Sequence, residues 1–199
     1  MFPDRFKRVS RRLGVPRLRH GLRACYLGWV NGALFEDAFA HHVWATTRLI
    51  DACLALSVKE LATAVPGTYG STLETMRHLV EGDSDYLSIM TGDRTRLVET
   101  EHMDLPELRV AMENDGALWA SFLKGDLDPN KMVKEIDDDD GFERDATIGI
   151  RLAQALNHGT DHRSQICTVL TALGVEPPGI DAWTYGLHVG RVVEVLPTS

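Results

Sequence analysis

Four stretches of this chain repeat apolar residues at steps of three and four, and that period leaves few architectures open. Phe35, Ala38, Phe39, Val43, Leu49, Ile50 and Cys53 mark one face of a helix from Leu34 to about Leu56, with His42 and Thr46 on the same stripe. The turn cluster Pro66-Gly67-Thr68-Tyr69-Gly70-Ser71 precedes a second helix. There Ser71 or Thr72 offers an N-cap oxygen, Glu74 can close a capping box from Ser71, and Leu73, Met76, Val80, Leu87 and Met90 continue the period until Thr91-Gly92-Asp93. Asp104, Pro106 and Glu107 start a third helix that carries Leu108, Met112, Leu118, Trp119 and Phe122 to about Lys124. A fourth, Thr147 to Leu173, carries Leu152, Ala155, Leu156, Ile166, Val169 and Leu170, and Gly174 ends it ahead of Pro177-Pro178. Four such helices and no convincing sheet predict an all-α four-helix bundle.

Between the third and fourth helices, Lys131–Ile136 and Phe142–Thr147 flank Asp137-Asp138-Asp139-Asp140-Gly141, whose Asp-Gly end signals a turn; a small hairpin or long loop is expected there. The Asp run lacks the alternating oxygen ligands and closing Glu of a calcium loop, so it reads as a solvated turn. From Ile180 to Ser199 the chain reads as a tail.

Charge divides the chain into two unlike parts. Residues 1–32 hold eight Arg or Lys against Asp4 alone, about +7, attached to a body of about −15 within a net charge of −8. Residues 1–32 are therefore expected to form a basic, poorly ordered N-terminal extension, and residues 33–199 a bundle domain with its C-terminal tail. An acidic body repels phosphate, which argues against nucleic acid as a partner. No apolar stretch nears the roughly 18 residues that span a membrane, since Ala24–Phe35 is broken by Gly28, Asn31 and Gly32. The three cysteines, Cys25, Cys53 and Cys167, form neither a disulfide framework nor a Cys-x-x-Cys pair, which favours a reducing, cytoplasmic setting.

No Walker loop, Gly-x-Ser-x-Gly elbow or dinucleotide fingerprint is present. Histidine is what remains. His158-Gly159-Thr160-Asp161-His162 places two imidazoles at i and i+4 on one helical face, the spacing a helical metal site needs. A zincin protease carries its general-base Glu directly after the first His, where this chain has Gly159. A catalytic metal site wants a third protein ligand and an open position. His42, inside the apolar stripe of the first helix, and His78, beside Glu74, Glu81 and Asp85 on the second, both qualify, and helical phase alone does not choose between them.

The run Pro66-Gly67-Thr68-Tyr69-Gly70-Ser71-Thr72-Leu73 leading to His78-Leu79 is similar to the DinB-like (YfiT-like) metalloprotein family. So are Asn157-His158-x-x-x-His162-Arg163-x-Gln165-Ile166, the stretch from Gly174 to Pro178 with Asp181 and Tyr185, and His42-Val43-Trp44-Ala45 of the opening helix. The similarity runs in order over about residues 33–186.

The resemblance implies a four-helix bundle with a divalent metal on His78, His158 and His162, zinc or nickel first, with iron, cobalt or manganese also accommodated. It further implies an S-transferase or isomerase working through a low-molecular-weight thiol of the mycothiol or bacillithiol type, so that a small thiol and an electrophile are the expected partners; similar bundles often form homodimers, but no exposed apolar stripe in this sequence argues for one. No residue is assigned as the catalytic nucleophile, because a metal-held thiol supplies it; Cys167, about 140° round the helix from His162, reads as core. Asp161, Glu74 and Glu81 are candidates to orient the imidazoles. Arg163 reads as a structural ion pair, and Trp183 and Tyr185 as packing for the tail. Two other readings use the same ligands: a non-catalytic metal-binding stress protein, and a metal-dependent hydrolase.

Overall fold

Capping chemistry fixes where the helices begin. Ser71 accepts from the Glu74 amide, and the Glu74 carboxylate accepts from the Ser71 amide, completing the expected capping box at the start of α3 (Thr72–Thr91). Asp104 and Glu107 make the same reciprocal pair ahead of α4 (Leu105–Leu123), and Thr147 caps α5 (Ile148–Ala172). Each such cap contributes about 1 kcal/mol by satisfying amides that have no intrahelical partner. Gly92 (φ 73°) and Gly174 (φ 75°) take the left-handed conformation that closes α3 and α5. α1 spans Ala33–Cys53. The computed structural model describes residues 33–136, 141 and 143–195; the expectations placed on residues 1–32, the Asp137–Asp140 turn and residues 196–199 lie outside the described residues.

α1 packs on α4 and α5, and α3 packs on the same two, so the four long helices form a ring with α1 and α3 on one diagonal. The predicted bundle is present. Its interior has two apolar layers. Leu49, Ile50, Met76, Leu79, Leu108, Met112, Ile166 and Leu170 fill one, and Phe39, Leu87, Trp119, Leu123, Leu152 and Ala155 the other. Each fully buried Leu, Ile or Phe contributes about 2 kcal/mol. The order of these residues along each helix gives the topology: α1 and α5 run from the second layer to the first, whereas α3 and α4 run the opposite way.

Between the layers lies a polar belt of buried side chains: His42 and Thr46 on α1, Asp83 on α3, Asp115 on α4 and Arg163 on α5. A buried polar group is costly unless bonded, so the belt is where the fold places its specific chemistry.

Two short helices interrupt regions that read as connection and tail: α2 (Val58–Leu61) and α6 (Ala182–His188). Four and seven residues are too few to show a period in sequence, and both are held by caps, a Ser57–Glu60 box and the Asp181 carboxylate. A 3₁₀ turn, Arg94–Arg96, follows α3. The expected hairpin forms: β1 (Met132–Ile136) and β2 (Glu143–Thr147) pair antiparallel, with Val133 opposite Ala146. Buried Arg151 on α5 donates to the carbonyls of Val133 and Arg144, tying the hairpin to the bundle. No helix among the described residues is long and apolar enough to cross a membrane.

Candidate metal centre

α3 and α5 bring three imidazoles together. His78, His158 and His162 each offer one ring nitrogen, and these nitrogens all lie within 4.8 Å of one another. His78 Nε2 and His158 Nε2 are 3.2 Å apart. A tetrahedron drawn with metal–nitrogen bonds of ~2.05 Å has edges of ~3.3 Å, so this pair already stands at a chelating separation. Ring centroids are 4.5 Å apart for His158 and His162, and 4.8 Å for His78 and His162. Three imidazoles with no carboxylate or thiolate among them form a donor set suited to a borderline-soft divalent ion. Burial, reinforced by the neighbouring His162 and His78, pushes His158 down to about 4, so its lone pair is free at neutral pH.

Close helix packing makes the arrangement possible. A Cβ on Gly82 would stand 2.5 Å from Cε1 of His158; only glycine on α3 leaves room for that ring. His158 Nδ1 is buried without a hydrogen-bond partner, so packing rather than a second bond holds this imidazole. Tyr86 meets its edge at 5.6 Å.

His162 is oriented differently. Its Nδ1 donates to Gln165 Oε1 at 3.3 Å, leaving Nε2 for the cluster, and the same oxygen accepts the Tyr69 amide at 2.7 Å. Gln165 Nε2 donates to Asp161 at 3.1 Å. Asp161 therefore reaches an imidazole through Gln165, one turn further along α5. The loop before α3 closes over the site: the Tyr69 ring stacks on His78 at 4.1 Å and 7°, and meets the His162 ring edge-on at 5.5 Å. Neither Gln165 as the positioning group nor Tyr69 as a cover was read from the sequence, although both fall in its motif runs. The signal available was an exposed aromatic in a Gly-rich loop just ahead of the helix that carries His78.

Glu74 holds its own helix cap, and Glu81 accepts from the Thr100 hydroxyl. Both line a cavity of about 480 Å³ together with Tyr69, Arg77 and Glu101, bordered by His78 alone of the three imidazoles.

His42, the alternative third ligand, stands apart from this group in the polar belt. Arg163 donates to its Nδ1 at 2.9 Å, which fixes the neutral tautomer whose Nε2–H donates to Asp83 at 2.7 Å. It is the hydrogen-bonded core histidine. Gly159 admits it: a Cβ there would stand 2.1 Å from His42 Cε1. Arg163 also donates to Thr46 and Thr160, so it bonds neutral acceptors and meets a carboxylate only through His42. Asp83 and Asp115 sit at stripe positions of α3 and α4, and the sequence reading passed over both. Cys167 packs against the first apolar layer, and burial raises its thiol. Tyr185 packs on Trp44 at 5.4 Å as expected, whereas Trp183 is 75% exposed: the first turn of α6 points it away from the bundle.

The family model for the DinB family matches residues 31–187. No curated protein matches the sequence.

Proposed function

Since the chain belongs to the DinB family, we propose that it is a divalent-metal-dependent enzyme that transfers or isomerises through a low-molecular-weight thiol, with His78, His158 and His162 as its metal ligands. The observation that carries this reading is the convergence of three ring nitrogens within 4.8 Å, one pair of them at 3.2 Å. A bound divalent ion would supply Lewis acidity, lowering the pKa of a thiol so that it reacts as thiolate.

The chain's own residues do the rest. His158, kept neutral by burial, presents its lone pair without first having to lose a proton, and the Gln165 oxygen orients the His162 ring through its Nδ1. Tyr69 covers His78 and His162 on one side, stacked on the first ring and edge-on to the second. No protein nucleophile is required, consistent with the raised thiol of Cys167 and its place in the core. Cys53 and Cys167 are both free thiols, which supports a reducing cytoplasmic setting. We assign the activity to residues 33–199.

Elemental analysis of tag-free protein tests the proposal. About one equivalent of divalent metal in the wild type and none in His162→Ala is expected, followed by turnover that depends on added thiol. Wild-type protein that takes up no metal when zinc and nickel are offered would overturn the reading.

A further inference from the structure

A cavity of about 450 Å³ lies between α1, α5 and α6, within the range of ~300–1,000 Å³ usual for small-molecule sites. On α5 it is lined by Leu156, Thr160 and Arg163, which at about 100° per residue stand roughly 150° round the helix from His158 and His162. It is therefore separate from the imidazole group. Arg163 sets its chemistry. That residue is 4% exposed, and its bonds all go to neutral acceptors: Nδ1 and the carbonyl of His42 and the hydroxyls of Thr46 and Thr160. They leave from Nη1 and Nη2, so the Nε–H has no acceptor among the described residues, and Asp83 is reached only across the His42 ring. A buried guanidinium is best matched by a carboxylate that meets its planar fork directly, and here the protein supplies none.

The rest of the lining does not cancel this charge. Arg191 pairs with Asp37 at 3.6 Å, and burial lowers the His41 pKa, which keeps that ring uncharged at neutral pH. Two arginines against one aspartate leave the lining at one net positive charge, on a body of about −15. Ala38, Leu156 and the Tyr185 ring make much of the wall apolar, and Trp183, 75% exposed, stands at the mouth.

We propose that this cavity is a second binding site, independent of the metal, for a small apolar carboxylic acid, its carboxylate on Arg163 and its apolar part against Leu156, Tyr185 and Trp183. The bonds to His42 and Thr160 hold the guanidinium in place for it, so little side-chain freedom is lost on binding.

Three probes of one length separate charge from burial. Metal-free protein is titrated by calorimetry with 4-phenylbutyrate, 4-phenylbutanol and 4-phenylbutylamine. One equivalent of the acid is expected to bind about tenfold more tightly than the alcohol, with the amine weakest. Ala38→Phe, which fills the cavity and leaves every bonding group of Arg163 in place, is expected to abolish binding. Arg163→Lys, which keeps the charge and loses the fork, is expected to shrink the preference for the acid several-fold. Wild-type protein that binds none of the three, or binds the alcohol or the amine as tightly as the acid, overturns the inference. Preference for the acid that survives undiminished in either folded variant overturns the assignment to this cavity. Acid binding that appears only once zinc is added places it at the imidazole group and overturns the independence of the two sites.

Discussion

Gly82→Ala separates the metal reading from a merely structural one, because it should move ligand affinity and helix stability independently. The added methyl would stand 2.5 Å from Cε1 of His158, 3.2 Å from Nδ1 and 3.3 Å from Nε2. Ordinary carbon contacts begin near 3.5 Å, so the ring must retreat by about 1 Å. It has no hydrogen bond at Nδ1 to resist, and His158 is only partly buried, so it retreats outward, opening the 3.2 Å gap to His78. Metal–nitrogen bonds tolerate about 0.2 Å, and loss of a properly aimed imidazole should weaken binding by about 100-fold or more. Alanine in place of glycine inside a helix meanwhile favours the fold by up to about 1 kcal/mol, which offsets part of the crowding. Zinc competition against a chromophoric chelator measures the first effect, and thermal melts of metal-free protein the second. A folded Gly82→Ala that keeps wild-type zinc affinity would refute the assignment of His158 as a ligand.

His158→Ala should abolish metal uptake while leaving helical circular dichroism near wild type, since the ring lies at the edge of the core and not within either apolar layer. His42→Ala should do the reverse: it leaves Asp83 and Arg163 buried without the group that joins them, costing about 3 kcal/mol in a thermal melt, with metal stoichiometry retained. Asp115 is pushed up to about 7 from 3.8, first by burial and then by the Asp83 charge. The native state therefore holds a proton that the unfolded chain has released across that range, and stability should fall as pH rises from about 4 to about 7, by up to about 4 kcal/mol from this one group. Asp115→Asn should flatten that slope and be the more stable protein at pH 8; parallel melts at pH 5 and pH 8 that show the same slope in both proteins would contradict it.

The long helices were legible because each carries a stripe whose period survives averaging over many residues, and because Ser71, Asp104 and Gly174 are strong boundary signals. The short helices were not: α2 and α6 depend on Ser57 and Asp181 caps that look, in sequence, like any polar residue in a loop. The polar belt hid for another reason. Asp83 follows Leu79 and Val80, and Asp115 follows Met112, at spacings where an apolar residue would continue the stripe. Read one helix at a time, a carboxylate there is a blemish. Only when four helices meet does the Asp83 carboxylate become the partner of His42 on the helix diagonally opposite.

The histidines show the same limit more sharply. The i, i+4 pair His158 and His162 is visible in one helix because both residues share it, whereas helical phase left His78 and His42 equal; the family resemblance named His78, and packing sets it beside the pair and His42 apart. What separates them is two glycines. Gly159 lets the His42 ring into the belt beside Arg163, and Gly82 lets the His158 ring stand against α3 within reach of His78. In sequence each glycine is only a weak spot in a helix, at a cost of about 1 kcal/mol. In the bundle each is the space that an imidazole occupies, one ring serving the core and the other the candidate metal site. That Gly159 sits between the two α5 histidines follows from this: the position that bears a general base in zincins here faces inward, onto His42, where a side chain would break the Arg163–His42–Asp83 chain. The absence of a base at that position is thus a packing requirement of this bundle.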